Sequence, residues 1–278
     1  MLKQSSVRKG GYNFMNPIEI NKFSELHDGK NIFFCKTDNI LEEFENIKKL
    51  KNDVIFISGN SDYCIADQEV SQAPPNIKKW FCQNRLSDSE LLQSIPLGLD
   101  NSTPCKRGQK HGTVWGHAPQ RLSILNEADK KRKETDFIYA NFSIETNPKH
   151  RLEMADVCNN LEYINTDIVK THEESNRRDY SLYVEEILKH QAVLCPIGNN
   201  MGDNHRIYES LYLGKVSITF NPILHKYLHH LYPTILIKDL NELKDYDKLE
   251  ERIKENKKAI DFKYLDMEYW RNLILNYV

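Results

Sequence analysis

The feature that most constrains this chain is an alternation of short apolar runs with amphipathic stretches, gone through twice. Residues 31–35 and 53–58 are apolar runs of strand length. Between them, residues 38–50 carry Ile40, Phe44 and Ile47 at helical spacing. A turn-rich Gly59-Asn60-Ser61-Asp62 follows. Pro74-Pro75 then sets off an expected short helix over 76–84. Residues 94–99 read as strand or loop, and residues 100–120, lacking periodicity, as a long loop. A helix is expected over 120–131.

The pattern then restarts. Strands are expected at 137–142, near Tyr163, and at 192–196, 216–220 and 234–237. Helices are expected at 147–159, 181–190 and 203–213, then a charged one to Lys258 and a last one over 267–277 carrying Trp270. Repeated β-α-β alternation implies parallel sheets covered by helices. The fold class is therefore α/β, with two Rossmann-like domains whose parallel sheets face a central cleft. The boundaries are a flexible tail over 1–15, a first domain over 16–130 and a second over 131–262. A final helix over 263–278 packs between them.

Composition narrows the function. The 278 residues are 40% hydrophobic, enough for a sizeable core. The net charge of -2 gives no polyanion-binding signature, so nucleic acid is not an expected partner. The one basic run, Lys130 to Lys133, reads as a solvated face. Six cysteines occur without a CxxC pair, which suits buried free thiols and neither a zinc site nor a disulfide frame. No signal-peptide pattern and no apolar run of membrane-spanning length is present, so a soluble cytoplasmic protein is expected.

In open α/β sheets, ligands bind beyond the carboxyl ends of strands. That rule directs attention to the loop Gly198-Asn199-Asn200-Met201-Gly202-Asp203-Asn204 and to His205 and Arg206 behind it. Two glycines permit close backbone approach. Asp203 or Asn204 can cap the next helix, whose free amides favour an anion such as a diphosphate. Arg206 can add a charge-assisted contact. Glu209, three residues on, shares its helix face and can accept bonds from a ribose diol. Gly214 ends the helix. Neither GxGxxG nor a P-loop motif is present. An ordinary βα turn with two convenient glycines accounts for the loop equally well.

The stretch also resembles the core signature of exostosin-like glycosyltransferases. That signature runs from CP-x-G to HR-x-x-E-x-L-x-x-G, here Cys195-Pro196-Ile197-Gly198, then His205-Arg206, Glu209, Leu211 and Gly214. A second element, Asn141-Phe142-Ser143 followed by Arg151, resembles the family's N-F-S…R. The resemblance covers the second domain well and the first loosely. It implies a GT-B arrangement and an inverting mechanism. It further implies a nucleotide-diphosphate-sugar donor, UDP-sugar first, a glycan acceptor, and no cofactor or metal. The donor site would comprise Asn141, Ser143, Arg151, residues 198–206 and Glu209. The short chain without an anchor fits small soluble bacterial or viral members.

Inverting transfer needs a base for the acceptor hydroxyl. Asp62, after the second strand, is the first candidate and Asp100 the second. His111 and His117 come third. Asp245-Tyr246-Asp247 lies in a Lys/Glu-rich helix, so it is not expected to clamp a metal. His225, His229 and His230 lack the HExxH glutamate and are taken as surface residues near the cleft. Trp80 and Trp115 can stack on a sugar or fill the core. Two alternatives stay open: a GDP-sugar-dependent, fucosyl-type transferase, and a nucleotide- or glycan-binding module without turnover.

Overall fold

A computed structural model describes residues 16–106, 123–127, 133–171, 173–174, 179–258 and 261–278. The tail over 1–15, His111, Trp115 and His117, and the ends of the helix expected over 120–131 lie outside the described residues. Ile124–Glu127 of that helix is helical.

Among the described residues, nine strands form two all-parallel sheets. The first holds β1 (Ile32–Lys36), β2 (Val54–Gly59), β3 (Ile77–Cys82) and β4 (Leu92–Ser94), in that order. The second holds β5 (Asp136–Ala140), β6 (Ile164–Thr166), β7 (His190–Cys195), β8 (Val216–Thr219) and β9 (Thr234–Leu236). Its order is β6-β5-β7-β8-β9. The α/β class is as expected.

The central strands β2 and β7 are largely apolar because both faces are covered, and successive side chains alternate between two cores. In β2, Ile55 and Ile57 enter one cluster while Val54 and Phe56 enter another, packed on helix Ile40–Ile47. In β7, Val193 and Cys195 face one way, Ala192 and Leu194 the other. The cluster taking Ile55 and Ile57 also takes Val193 and Cys195, so the two sheets share one core. Trp270, on the last helix, Met267–Leu275, is buried in that shared core.

The expected helix over 76–84 is β3 instead. Ile77, Trp80, Phe81 and Cys82 are buried, and the segment is hydrogen-bonded on both sides, to β2 and β4. A central slot in a parallel sheet favours aromatic and β-branched side chains, and here it outweighs the proline signal. Trp80 packs against Phe44 and Phe56 and donates to Ser58 Oγ (2.9 Å), which fixes it as core.

The chain's early segment locks the halves together. Ile18 N–H donates to the Tyr212 hydroxyl (2.8 Å), which donates to the Leu265 carbonyl (2.6 Å). Leu99 N–H donates to the Ile18 carbonyl (2.8 Å) beside Gly98, whose φ is +76°. All six cysteines are free, five of them buried. No helix among the described residues is long and apolar enough to cross a membrane.

A Cβ on Gly98 would lie 2.2 Å from the Ile18 carbonyl oxygen. Gly98→Ala should therefore cost at least about 1–3 kcal/mol, the scale of one strained backbone position, read by chemical denaturation. Unchanged stability would contradict this packing of the early segment.

Candidate functional site

The second sheet has a topological switch point between β5 and β7. From β5 the chain turns to β6 on one side, then crosses to β7, β8 and β9 on the other. Crossovers leave in opposite directions there, opening a crevice at the strands' carboxyl ends. The first sheet adds its described strands in one direction only. The loops at the switch point are 141–143 and 196–204, the two segments singled out by sequence.

Asp203 organises the longer loop. It is buried, and its Oδ1 faces His229 Nε2 (3.1 Å) while also accepting from Asn204 N–H (2.9 Å). Its Oδ2 accepts from the Tyr208 hydroxyl (2.5 Å) and, at 3.4 Å, from Leu97 N–H of the first half. Burial alone would raise this carboxyl, but His229, Tyr208 and the Asn204 amide hold it below the usual range. Asp203 is therefore an internal anchor and not an open ligand group. It leaves helix His205–Tyr212 without a side-chain cap, contrary to the expected role of Asp203 or Asn204. Asn204 Nδ2 instead donates to the Pro196 carbonyl (3.0 Å).

The glycines serve the loop's own fold. A Cβ on Gly202 would lie 2.9 Å from the Asn199 carbonyl oxygen, and one on Gly198 3.0 Å from that of Asp203. Gly202 N–H closes the turn onto Asn199 (2.7 Å), around Asn200 and a left-handed Met201 (φ 67°). Two other described non-glycine residues have positive φ, Asn60 (56°) and Asn84 (55°), both at carboxyl ends of first-sheet strands. Strained backbone thus gathers where the two sets of loops meet.

Several contacts join these loops. Asn84 Oδ1 accepts from Asp203 N–H (2.8 Å), and its Nδ2 donates to the Ser61 carbonyl (3.0 Å). Asn199 Nδ2 donates to Asp62 Oδ2 (3.2 Å), which brings the exposed first candidate base against the candidate donor loop. His205 Nδ1 faces the Gly98 carbonyl (2.8 Å) and its Nε2 faces Asp100 Oδ1 (2.8 Å). Both ring nitrogens thus meet oxygens of the first half. Asp100, the second candidate base, is buried in this pairing.

Arg151 and Arg206 have different fates. Arg151 is buried: Nε and Nη2 donate to the Ile197 carbonyl (3.1 and 2.9 Å) and Nη1 to that of Ser143 (2.7 Å). Burial and then the nearby Arg206 charge pull its pKa down to about 9. Arg151 therefore braces the two switch-point loops. Arg206 is half-buried in the first helical turn, makes no hydrogen bond or ion pair among the described residues, and has a buried Nε without a partner. Ser143 Oγ and Asn204 Oδ1 are likewise buried and unpartnered. Buried polar atoms are normally satisfied, so their gathering here marks a place for a polar ligand.

Glu209 is turned inward. It is 2% exposed, and its two oxygens accept from the hydroxyls of Tyr180 (3.3 Å) and Tyr183 (2.8 Å) on helix Tyr180–Lys189. Asn141 is buried and donates to the Tyr139 hydroxyl (3.0 Å). His229, expected at the surface, is buried, with its Nε2 against Asp203. Among the described residues no group of three or more His, Cys, Asp or Glu is placed to hold a metal ion. Sequence reasoning missed Asn84, Asn147 and Asn221. The last two tie the loop down, Asn147 Nδ2 to the Gly198 carbonyl (2.9 Å) and Asn221 Nδ2 to that of Met201 (2.7 Å). Asn84 ends the helix expected over 76–84, Asn147 opens the one over 147–159 and Asn221 follows the strand over 216–220, boundaries where asparagine's turn chemistry is the available signal.

No family model matches the chain, and no curated protein matches it. Among solved structures, the crystal structure of an α1,3-fucosyltransferase is similar, at 9% identity and a TM-score of 0.36, covering 99% of this chain and 84% of that one.

Two predictions follow from the anchor and its neighbours. Asp203→Ala strands a buried His229 and should cost about 3–5 kcal/mol, seen as a lower urea midpoint; a midpoint within error of the wild type would contradict the anchor. Burial, then the charges of His229 and His230, push the His225 imidazole from 6.5 to about 4. Between those values the unfolded chain binds more protons than the folded one, so stability falls as pH drops from 6.5 towards 4. His225→Gln should flatten part of that slope in melting curves taken across the range.

Proposed function

We propose that this chain is a glycosyltransferase of GT-B type that moves a sugar from a nucleotide-diphosphate sugar, UDP-linked first, to a glycan hydroxyl. The observation that carries the reading is Arg206: an unengaged guanidinium in the first turn of an uncapped helix, at the switch point of a parallel sheet. Free helix-start amides and an arginine fork together favour a diphosphate. The signature from Cys195 to Gly214 supports the same assignment.

In this reading the acceptor oxygen attacks the anomeric carbon from the face opposite the diphosphate, so the configuration inverts. The sugar–phosphate bond breaks, and charge grows on the leaving diphosphate. Arg206 and the amides of the helix start stabilise that charge without a metal. Asp62 takes the acceptor proton, reaching the site from the first half beside Asn199. Arg151 and Asp203 keep the loop in shape. Glu209 holds Tyr180 and Tyr183 beneath it.

Release of nucleoside diphosphate from a panel of UDP- and GDP-sugars tests the reading. Arg206→Ala should weaken donor binding about 10- to 100-fold, the range of one charge-assisted hydrogen bond. Asp62→Asn should lower kcat and leave donor affinity intact. Donor affinity that ignores Arg206→Ala contradicts the diphosphate assignment. Binding without release for every donor and acceptor favours a binding module.

A further inference from the structure

Asp62 stands exposed on a loop of the first half, and the loop it faces belongs to the second. The hydrogen bond between Asn199 and Asp62 lies in solvent, where water readily replaces it, so it does not set their geometry. A buried side chain does. Asn84 is 3% exposed and bonds both loops through one planar amide. Its Oδ1 accepts from Asp203 N–H (2.8 Å), and its Nδ2 donates to the carbonyl of Ser61 (3.0 Å), the residue before Asp62. These partners dictate the orientation of the amide, because a backbone N–H only donates and a carbonyl only accepts.

Asn84 grips the Asp62 loop a second time. Its own carbonyl accepts from Ile65 N–H (3.0 Å), so the segment 61–65 is held on both sides of Asp62. Its backbone is left-handed (φ 55°), a conformation that asparagine tolerates better than most residues. The stem of the loop is tied from below: Asn60 N–H donates to Gln83 Oε1 (2.8 Å), and Asn60 Nδ2 donates to Asn21 Oδ1 (2.8 Å). On the other side, a Cβ on Gly202 would lie 3.1 Å from Asn84 Nδ2, so the glycine leaves the amide its room.

Resting on the sugar-transfer reading, we infer that Asn84 is the positioning residue that sets Asp62 against the diphosphate loop. It acts through Ser61 and Ile65 on one side and through Asp203 on the other. The base and the leaving-group site come from different halves of the chain, and this amide fixes one against the other. The role needs an acceptor and a donor on the same short side chain. A carboxylate would turn an oxygen on the Ser61 carbonyl, and an apolar group of equal size would leave the Asp203 N–H buried without an acceptor.

Turnover by the full chain tests this with Asn84→Gly and Asn84→Asp, at saturating levels of the nucleotide sugar and acceptor that the wild type uses. Glycine suits the left-handed backbone and removes both amide bonds. Its kcat should fall about 10- to 100-fold, the scale for a misplaced reacting group, while calorimetry with the nucleoside diphosphate shows the wild-type binding stoichiometry. In Asn84→Asp the introduced carboxyl is ionised at high pH and repels the Ser61 carbonyl. Burial and the Asp203 carboxylate raise its pKa, and once protonated it donates as the amide did. The ratio of its kcat to that of the wild type should therefore climb as pH falls, a ratio from which the titration of Asp62 cancels. Wild-type kcat in the glycine variant, or an aspartate variant whose loss is the same at every pH, overturns the positioning role and leaves the transfer reading standing. A wild type that releases nucleoside diphosphate from no donor overturns both.

Discussion

A buried carboxylate, Asp203, is the interaction on which the rest of the site depends. Its charge is satisfied inside the protein by His229, the Tyr208 hydroxyl and the Asn204 amide. Its backbone is held from the other sheet by Asn84. Leaving a buried charge unpaired is costly, so these partners fix the loop in one arrangement. The consequence reaches two residues further. With Asp203 committed elsewhere, the next helix starts without a side-chain cap, with the half-buried Arg206 in its first turn.

The same economy separates two arginines that look alike in sequence. Arg151 is consumed by the carbonyls of Ser143 and Ile197, the ends of the two strands that define the switch point. It provides rigidity and a background of positive charge. Arg206 has no hydrogen-bond or ion-pair partner among the described residues, and a cation left so is one that a ligand can engage. Asn199 meets Asp62 and His205 meets Asp100, so both candidate bases already touch the loop from the first half. The shared core beneath holds those halves in register, with Ile55 and Val193 in one cluster.

The α/β class, both sheets and the loop itself were legible in the sequence, because apolar runs and helical spacing are local signals. β3 was not: Pro74-Pro75 suggested a helix start, and only its two neighbouring strands make the following residues a strand. The inward turn of Glu209 was also hidden. Its spacing from Arg206 fixes a shared helix side, but whether that side meets ligand or tyrosines is decided by helix Tyr180–Lys189, whose position is tertiary. His229 and Asn84 were missed for the same reason, since each acts on a residue far away in the chain. The glycines were rightly noticed for a reason the fold replaces: they make room for the loop's own backbone.

The most direct test of the central claim is a crystal structure with a bound nucleoside diphosphate. The account predicts its phosphates within hydrogen-bond distance of the Arg206 guanidinium and the amides that open helix His205–Tyr212, with Asp62 across from them. A diphosphate bound elsewhere, with Arg206 left facing solvent, would contradict it.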